Sequence, residues 1–394
     1  MISVQEATNI LFKNKITVNS ISVPLQQSLN KILAEDIYAY VDVPTYSQSA
    51  VDGYAIKKDF FQKNKIWKIK GEIKAGDNIK VQNLKNNECN KIYTGAKVPS
   101  ALDVIIMKEY AEKISDNEVM FNIDDVTQYQ NIRHKGEEIK KGEKIFSKNI
   151  VIKPEHIAVL SSIGKSKIKV KRDISILILA TGNELKKIGS PIKTGEKYES
   201  NGIMLQQLIK KYFDIDAKYL LVKDDKKKLL NTLTKYYQNY DIIITTGGVS
   251  VGDYDFTKPV IKELNYNILI DKVAQKPGKP FVFAVSKQNK VIFGLPGNPR
   301  AALSCFYIYI LRYIYQCYGI CKEWPLPVVT ASIDNDLIIN DNRTRILFVN
   351  IHGNKISIPE KQDSHMLISS ANADGIIVVN RSIKKNEHIN VYLI

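Results

Sequence analysis

Between residues 173 and 320, short apolar runs alternate with amphipathic stretches, and this alternation restricts the fold more than any other feature. Ile174–Leu179 reads as a strand, and from Ser200-Asn201 onward Leu205, Leu208, Ile209 and Tyr212 line one helical face. Tyr219-Leu-Leu-Val is again strand-like, Leu229, Leu230 and Leu233 mark a second helix, and Ile242–Ile244 and Val291–Phe293 add two more strands. Strands that alternate with helices predict a parallel, doubly covered sheet. In such a sheet, ligands bind beyond the carboxyl ends of the strands.

Three polar segments occupy those ends: Ala180-Thr-Gly-Asn-Glu184, Thr245-Thr-Gly-Gly-Val-Ser-Val-Gly-Asp-Tyr-Asp255 and Gly294-Leu-Pro-Gly-Asn-Pro299. Gly247 and Gly248 let the backbone approach an anion, and the following N–H groups with the hydroxyls of Thr246 and Ser250 can cradle phosphate oxygens. Glu184 and Asp255, brought together, can hold Mg²⁺, a hard ion that bridges to phosphates. Lys272, Lys276 and Lys279 can neutralise anionic oxygens. Taken singly, each segment reads more readily as a turn, a helix cap or a solvated face. Their recurrence on successive strand ends favours a site. The chain has no G-x-x-x-x-G-K-[ST] and no G-x-S-x-G, so neither a P-loop NTPase nor a hydrolase nucleophile elbow is expected.

The rest of the 394-residue chain divides by pattern. Residues 1–43, opened by a Ser3-x-x-Glu6 capping box, read as helical, with Leu25, Leu29, Ile32 and Leu33 at helical spacing. They are expected to join residues 141–170, where a helix follows Pro154, in one discontinuous unit. Residues 44–140 carry short β-like runs such as Ile66-Trp-Lys-Ile-Lys and Val104-Ile-Ile-Met, which predicts a β-rich domain. The α/β domain is placed at 171–322, and residues 323–394 read as a small β-barrel. The apolar stretch 301–321 has Arg312 at its centre and reads as a buried helix, not a membrane span. The net charge of +16 is scattered rather than striped, so no nucleic-acid partner is expected. Four cysteines in a chain this long predict reduced, packed thiols. The N-terminus lacks the pattern of a signal peptide, which points to the cytoplasm.

Several motifs in combination resemble the molybdopterin molybdenumtransferase family, which is similar in turn to the C-terminal domain of gephyrin. They are Ser49-Ala-Val-Asp-Gly-Tyr-Ala55, Tyr93-Thr-Gly-Ala96, Asn131-Ile-Arg133 with Gly136-Glu-Glu138, Thr181-Gly-Asn-Glu-Leu185, Thr246-Gly-Gly-Val-Ser-Val-Gly252 with Asp255, Lys276-Pro-Gly-Lys-Pro280 and Gly294-Leu-Pro-Gly-Asn-Pro299. The resemblance implies a four-domain homodimer with no membrane partner, whose cleft lies between the α/β domain of one subunit and the β-rich domain of the other. It also implies the reaction: adenylylated molybdopterin is cleaved with Mg²⁺ assistance, AMP leaves and molybdate passes to the dithiolene. By position it puts Asp52, Thr94, Glu184, Asp224, Asp255, Lys272 and Lys276 in the cleft, with Asp52 presented by the partner subunit. Arg133, Thr246, Gly247, Gly248, Ser250, Lys279, Pro296, Asn298 and Pro299 are expected to bind substrate. Transient contact with the molybdopterin adenylyltransferase is a further implication.

This chain departs from the family at Glu138, at Arg300 in place of a small or apolar residue, at Gln362-Asp-Ser-His365 without the usual glycine, and at Asn350 where an arginine is common. Two alternatives remain open. A gephyrin-like scaffold would tolerate loss of the cleft acids, and the adenylyltransferase is usually a single α/β domain.

Overall fold

The computed structural model describes residues 1–77, 83–248, 256–320 and 324–394. At its start, Ser3 and Glu6 close the expected capping box: Glu6 N–H donates to Ser3 Oγ at 3.1 Å and Ser3 N–H to Glu6 Oε2 at 2.7 Å. The helix they begin, α1 (Val4–Lys13), turns Ala7 and Leu11 into the same core as the α/β sheet. The apolar spacing at Leu25, Leu29, Ile32 and Leu33 does not become a helix. Ser20–Pro24 pairs antiparallel with Lys167–Lys171, Asn30 adopts a φ of 62°, and Leu29 stays exposed. The returning chain claims this backbone: Asn30 N–H donates to Ile152 O at 3.0 Å and Leu33 N–H to Ile150 O at 2.9 Å. Tertiary pairing has overridden helical periodicity here. Residues 23–39 do share a core with 139–170, including Leu160 and Ile163 at helix α2 (Pro154–Ser162), so this part is discontinuous in sequence.

Residues 53–121 build one six-stranded sheet, in the spatial order Val104–Met107, Gly53–Ile56, Glu88–Ile92, Ile66–Ile73, Glu118–Phe121, Ala111–Ser115. Trp67, fully buried, anchors its core against Phe121.

The α/β sheet contains β1 (Ile176–Thr181), β2 (Lys218–Val222), β3 (Ile242–Thr246), β4 (Asn267–Ile270), β6 (Val282–Val285) and β7 (Val291–Leu295) in the order β2-β1-β3-β7-β6-β4, with β5 (Gln275–Lys276) lying outside it. The strands β2, β1, β3 and β7 are parallel, whereas β6 and β4 join antiparallel. The period-2 alternation explains why both faces are covered. Ile176, Ile178, Ile242 and Ile244 meet the layer of α3 (Asn201–Phe213) and α6 (Pro299–Cys305). Leu177, Leu179 and Ile243 meet α4 (Lys226–Tyr236) and α5 (Thr257–Glu263). Each such side chain contributes about 1.5–3 kcal/mol by leaving water.

Helix α6 continues through a π-helical segment (Phe306–Ile310) into α7 (Leu311–Cys317), and all three are buried. Arg312 lies inside this stretch, stacked on Trp324 at 4.4 Å. No helix among the described residues is long and apolar enough to cross a membrane. Cys89, Cys305 and Cys317 are buried and free, and burial pushes each thiol up to about 12.

At the C-terminal end, β8 (Val328–Ile333), β9 (Thr344–His352), β10 (Lys355–Ser357), β11 (Gly375–Val379) and β12 (His388–Leu393) close a small barrel through the pairing of β9 with β11. The two-residue strand β5 pairs parallel with β9, placing Lys276 opposite Arg345. The lysine segment is therefore fixed to the barrel.

Candidate active site

The parallel strands β1, β3 and β7 all end at one edge, and their polar continuations meet around a cavity of about 530 Å³. Its lining includes Glu184, Asp224, Thr246, Gly247, Gly248, Pro296, Asn298 and Pro299, so the structure brings together most of the residues expected at strand ends. Asp255 and Ser250 lie outside the described residues.

The floor is held by the backbone. Gly247 has a φ of 89°, and a Cβ there would lie 2.6 Å from the Thr181 carbonyl oxygen. Its N–H donates to Leu295 O at 3.1 Å, so this donor, expected to help cradle phosphate, is committed to β7 instead. Asn201 Nδ2 donates to Gly297 O at 2.9 Å and Asn298 Nδ2 to Ser364 Oγ at 2.8 Å, tying the Pro296–Pro299 turn to α3 on one side and to the barrel on the other.

The acids differ in their surroundings. Glu184 is half-exposed and paired with Lys197 at 3.1 Å. Such an exposed pair is worth only about 0–1 kcal/mol, so the carboxylate can exchange its ammonium for another cation at little cost. Asp224 sits one segment away, its N–H donating to Asn183 Oδ1 at 3.2 Å. Glu199, buried, accepts from Gly202 N–H at 2.8 Å through Oε1, and Asn201 Oδ1 has no hydrogen-bond partner among the described residues. Sequence reasoning missed Glu199 and Asn201. The signal available was their place just before and at the start of α3.

Among the described residues no three Asp, Glu, His or Cys side chains gather as a metal cage. Mg²⁺ does not require one, because it binds through one or two carboxylates plus substrate phosphates. Glu184 and Asp224, which both line the cavity, are hard oxygen donors of the kind this ion takes.

The lysines divide. Lys276 and Lys279 line an adjoining cavity that shares Pro280, Pro296 and Asn298 with the first. Their loop is pinned by buried Gln275, whose Nε2 donates to Pro277 O at 3.2 Å and Gly278 O at 3.1 Å. Lys272 lines neither cavity; its carbonyl accepts from Ile2 N–H at the foot of α1.

Asp52, Thr94 and Arg133 line neither cavity within this chain. They lie at and beside the sheet of residues 53–121, where the turn before Gly53 is forced tight: a Cβ at Gly53 would lie 2.0 Å from the Ile106 carbonyl oxygen. The turn presents Asp52 to Thr94, whose N–H and hydroxyl both donate to Asp52 Oδ1 at 2.9 Å, with Lys108 at 3.4 Å from Oδ2. The Thr94 donors first, and Lys108 after them, hold the Asp52 carboxyl below the ordinary carboxylate range, so it is ionised at neutral pH. Nothing in the sequence marked Lys108. Arg133 is exposed in the short pair of Gln48–Ser49 with Ile132–Arg133.

Comparison with known proteins bears on these features. Residues 2–164 match the MoeA N-terminal region (domain I and II), residues 177–316 a probable molybdopterin binding domain, and residues 330–394 the MoeA C-terminal region (domain IV). The molybdopterin molybdenumtransferase of Staphylococcus epidermidis is 33% identical over 352 residues, covering 88% of this chain and 83% of its own length. That of Haemophilus influenzae is 30% identical over 363 residues, covering 91% and 89%. The solved structure of a molybdopterin biosynthesis MoeA protein from Pyrococcus horikoshii superimposes with a TM-score of 0.86 at 27% identity, covering 100% of this chain and 99% of the other.

Proposed function

The chain belongs to the MoeA family of molybdopterin molybdenumtransferases, and from that premise we propose that it is such an enzyme, inserting molybdate into adenylylated molybdopterin with Mg²⁺ assistance and releasing AMP. The observation that carries this reading is the convergence of three strand ends on one cavity that holds carboxylates, with a cationic cavity beside it. Every reactant is an anion, so carboxylates in the cleft need a cation between them and the phosphates, while the lysines face the oxyanions directly.

In this reading Glu184 and Asp255 hold Mg²⁺, with Asp224 on the same wall. When bound there, the ion supplies charge neutralisation to the phosphoanhydride oxygens. Thr246, Gly247, Gly248, Ser250 and the Pro296–Asn298–Pro299 turn seat the phosphate-bearing part of the substrate, and Lys276 and Lys279 attract molybdate. The ionised Asp52, locked by Thr94, acts from the partner subunit of a homodimer, and Arg133 binds substrate from the same sheet. Asp52 and Glu184 lie in loops beside different sheets of one chain, which is consistent with a cleft completed by a second copy. The setting is cytoplasmic, with transient hand-over from the molybdopterin adenylyltransferase. The strand-end acids Glu184 and Asp224 favour this reading over a gephyrin-like scaffold, which has no need of them.

Glu184→Gln tests the assignment. The variant is expected to bind adenylylated molybdopterin with wild-type affinity, but to release AMP about 10²–10³-fold more slowly, the usual loss when one preorganised electrostatic group is removed. Unchanged AMP release at saturating Mg²⁺ would remove Glu184 from the reaction.

A further inference from the structure

A third pocket, of about 510 Å³, opens on the β-rich part of the chain and shares no residue with the two cavities beside the α/β sheet. None of its lining residues is acidic. Lys97 and Lys135 supply positive charge, and Ser47 and Ser100 supply hydroxyls. Lys135 has a counter-ion in Asp42, at 3.4 Å, whereas Lys97 has no ion-pair partner among the described residues. The pocket adjoins Asp52. Thr94, which holds that carboxylate, is followed by Gly95, whose carbonyl accepts from the Tyr46 hydroxyl at 3.3 Å and whose N–H donates to Ser49 O at 2.9 Å. Further on, Val98 N–H donates to Ser47 O at 2.9 Å. One short loop, residues 94–98, therefore carries the partner of the ionised acid at one end and a wall of the pocket at the other.

Another wall is strained. Tyr129 has a φ of 63°, in the left-handed region that bulky L-residues rarely enter. The surroundings impose it: Tyr129 N–H donates to Asp103 O at 2.7 Å, and its carbonyl accepts from Ile132 N–H at 3.1 Å. Asn131, at a φ of 58°, donates through Nδ2 to Ile105 O at 2.9 Å. Burial does not offset the strain, because Tyr129 is 51% exposed, and its ring meets that of His134 at 78° with centroids 4.9 Å apart. Backbone outliers of this kind persist where the surrounding structure over-determines them, and they cluster at ligand clamps. An aromatic ring held half-open over a cationic, acid-free pocket suits a flat ring that stacks on it and an anionic group that meets the unpaired ammonium. The pocket's size falls in the range of small-molecule sites, roughly 300–1,000 Å³.

We propose that this pocket binds a planar heteroaromatic ring bearing an anionic group, with Tyr129 against the ring, Lys97 on the anion and the serine hydroxyls on ring nitrogen or oxygen atoms. A pterin and an adenine nucleotide share that chemistry. Assigning the ligand to one end of the adenylylated substrate rests on the molybdenumtransferase reading, whereas the binding itself does not. Tyr129 and Lys97 thus become ligand-binding residues on the same loop system as Asp52.

Titration of the purified full-length protein with pterin-6-carboxylate, followed by pterin fluorescence, and separately with AMP, followed by calorimetry, tests this. The pterin is expected to bind, and Tyr129→Asn to weaken it about 10-fold, the usual worth of one aromatic stack. Asparagine tolerates the left-handed region, so the melting temperature of Tyr129→Asn without ligand should match or exceed that of wild type. Lys97→Gln should weaken binding about 5- to 10-fold and remove most of its salt dependence. Should Tyr129→Asn fail to fold, Lys97→Gln gives the same reading. If AMP rather than the pterin shows the Tyr129 dependence, the ring is the adenine. The proposal is overturned if wild type binds neither probe, or if the folded variants bind both within about twofold of wild type. A protein that binds the pterin through Tyr129 but releases no AMP from adenylylated molybdopterin would refute the reaction and leave this pocket standing.

Discussion

Gly247→Ala perturbs the cavity floor at one atom, and its cost can be worked from the structure. At a φ of 89° any L-residue is strained, by about 1–2 kcal/mol. The added methyl would lie 2.6 Å from the Thr181 carbonyl oxygen and 2.9 Å from Thr181 Oγ1. That carbonyl belongs to β1, whose pairing with β3 puts Ala180 opposite Thr246, so it cannot swing aside without breaking the parallel ladder. Overpacking of this kind costs a further 1–3 kcal/mol or so, giving about 2–5 kcal/mol in all. Gly195→Ala separates the two terms, because Gly195 has a φ of 88° and nothing within 4 Å of the added methyl. It should lose only the conformational part, about 1–2 kcal/mol. Denaturant unfolding by circular dichroism gives the totals, and amide hydrogen exchange in β1 and β3 shows where the loss falls. Equal losses for the two variants, or unaltered exchange at the ends of β1 and β3 in Gly247→Ala, would refute the packing argument.

Asp241, at the start of β3 and far from the strand ends, accepts from Arg172 at 2.7 and 2.9 Å and from the Ser175 N–H and hydroxyl at 2.8 Å. Burial alone would raise its pKa, but these donors outweigh burial and lower it, so its contribution is complete above the unfolded value and is lost as pH falls through the folded one. Asp241→Asn should therefore cost about 1–3 kcal/mol at neutral pH and flatten the acid limb of stability below about pH 4, as read from melting temperatures across pH; an unchanged acid limb would contradict this. For the shared cleft, Asp52→Ala mixed with Glu184→Gln should regain about a quarter of wild-type activity, since random exchange makes half the dimers mixed and each has one intact site. Mixed dimers confirmed by mass that remain inactive would put both residues in one subunit's site.

The parts of this molecule legible in sequence are those governed by local pattern. Apolar strand-like runs alternating with amphipathic stretches declared a doubly covered sheet, and the polar residues just past its strands declared the cavity. Ser3 and Glu6 declared their helix. Long-range pairing is what defeated the reading elsewhere. Leu25 to Leu33 have helical spacing, but their backbone bonds to residues 150–152 more than a hundred positions away. Lys272 looked equivalent to Lys276, yet only the latter pairs with the barrel, through β5 and β9. Arg300 stood out as an odd residue after Gly-Asn-Pro, but its burial depends on the barrel packing over α6, which no local pattern encodes.

In the proposed reaction this chain couples cleavage of an adenylylated pterin to metal insertion. Its most direct measurement is AMP, separated by chromatography, after purified protein loaded with adenylylated molybdopterin receives molybdate and Mg²⁺. AMP is expected in proportion to the pterin loaded, dependent on both additions and accompanied by molybdenum bound to the pterin. AMP that never appears, or that appears equally without molybdate, would contradict it.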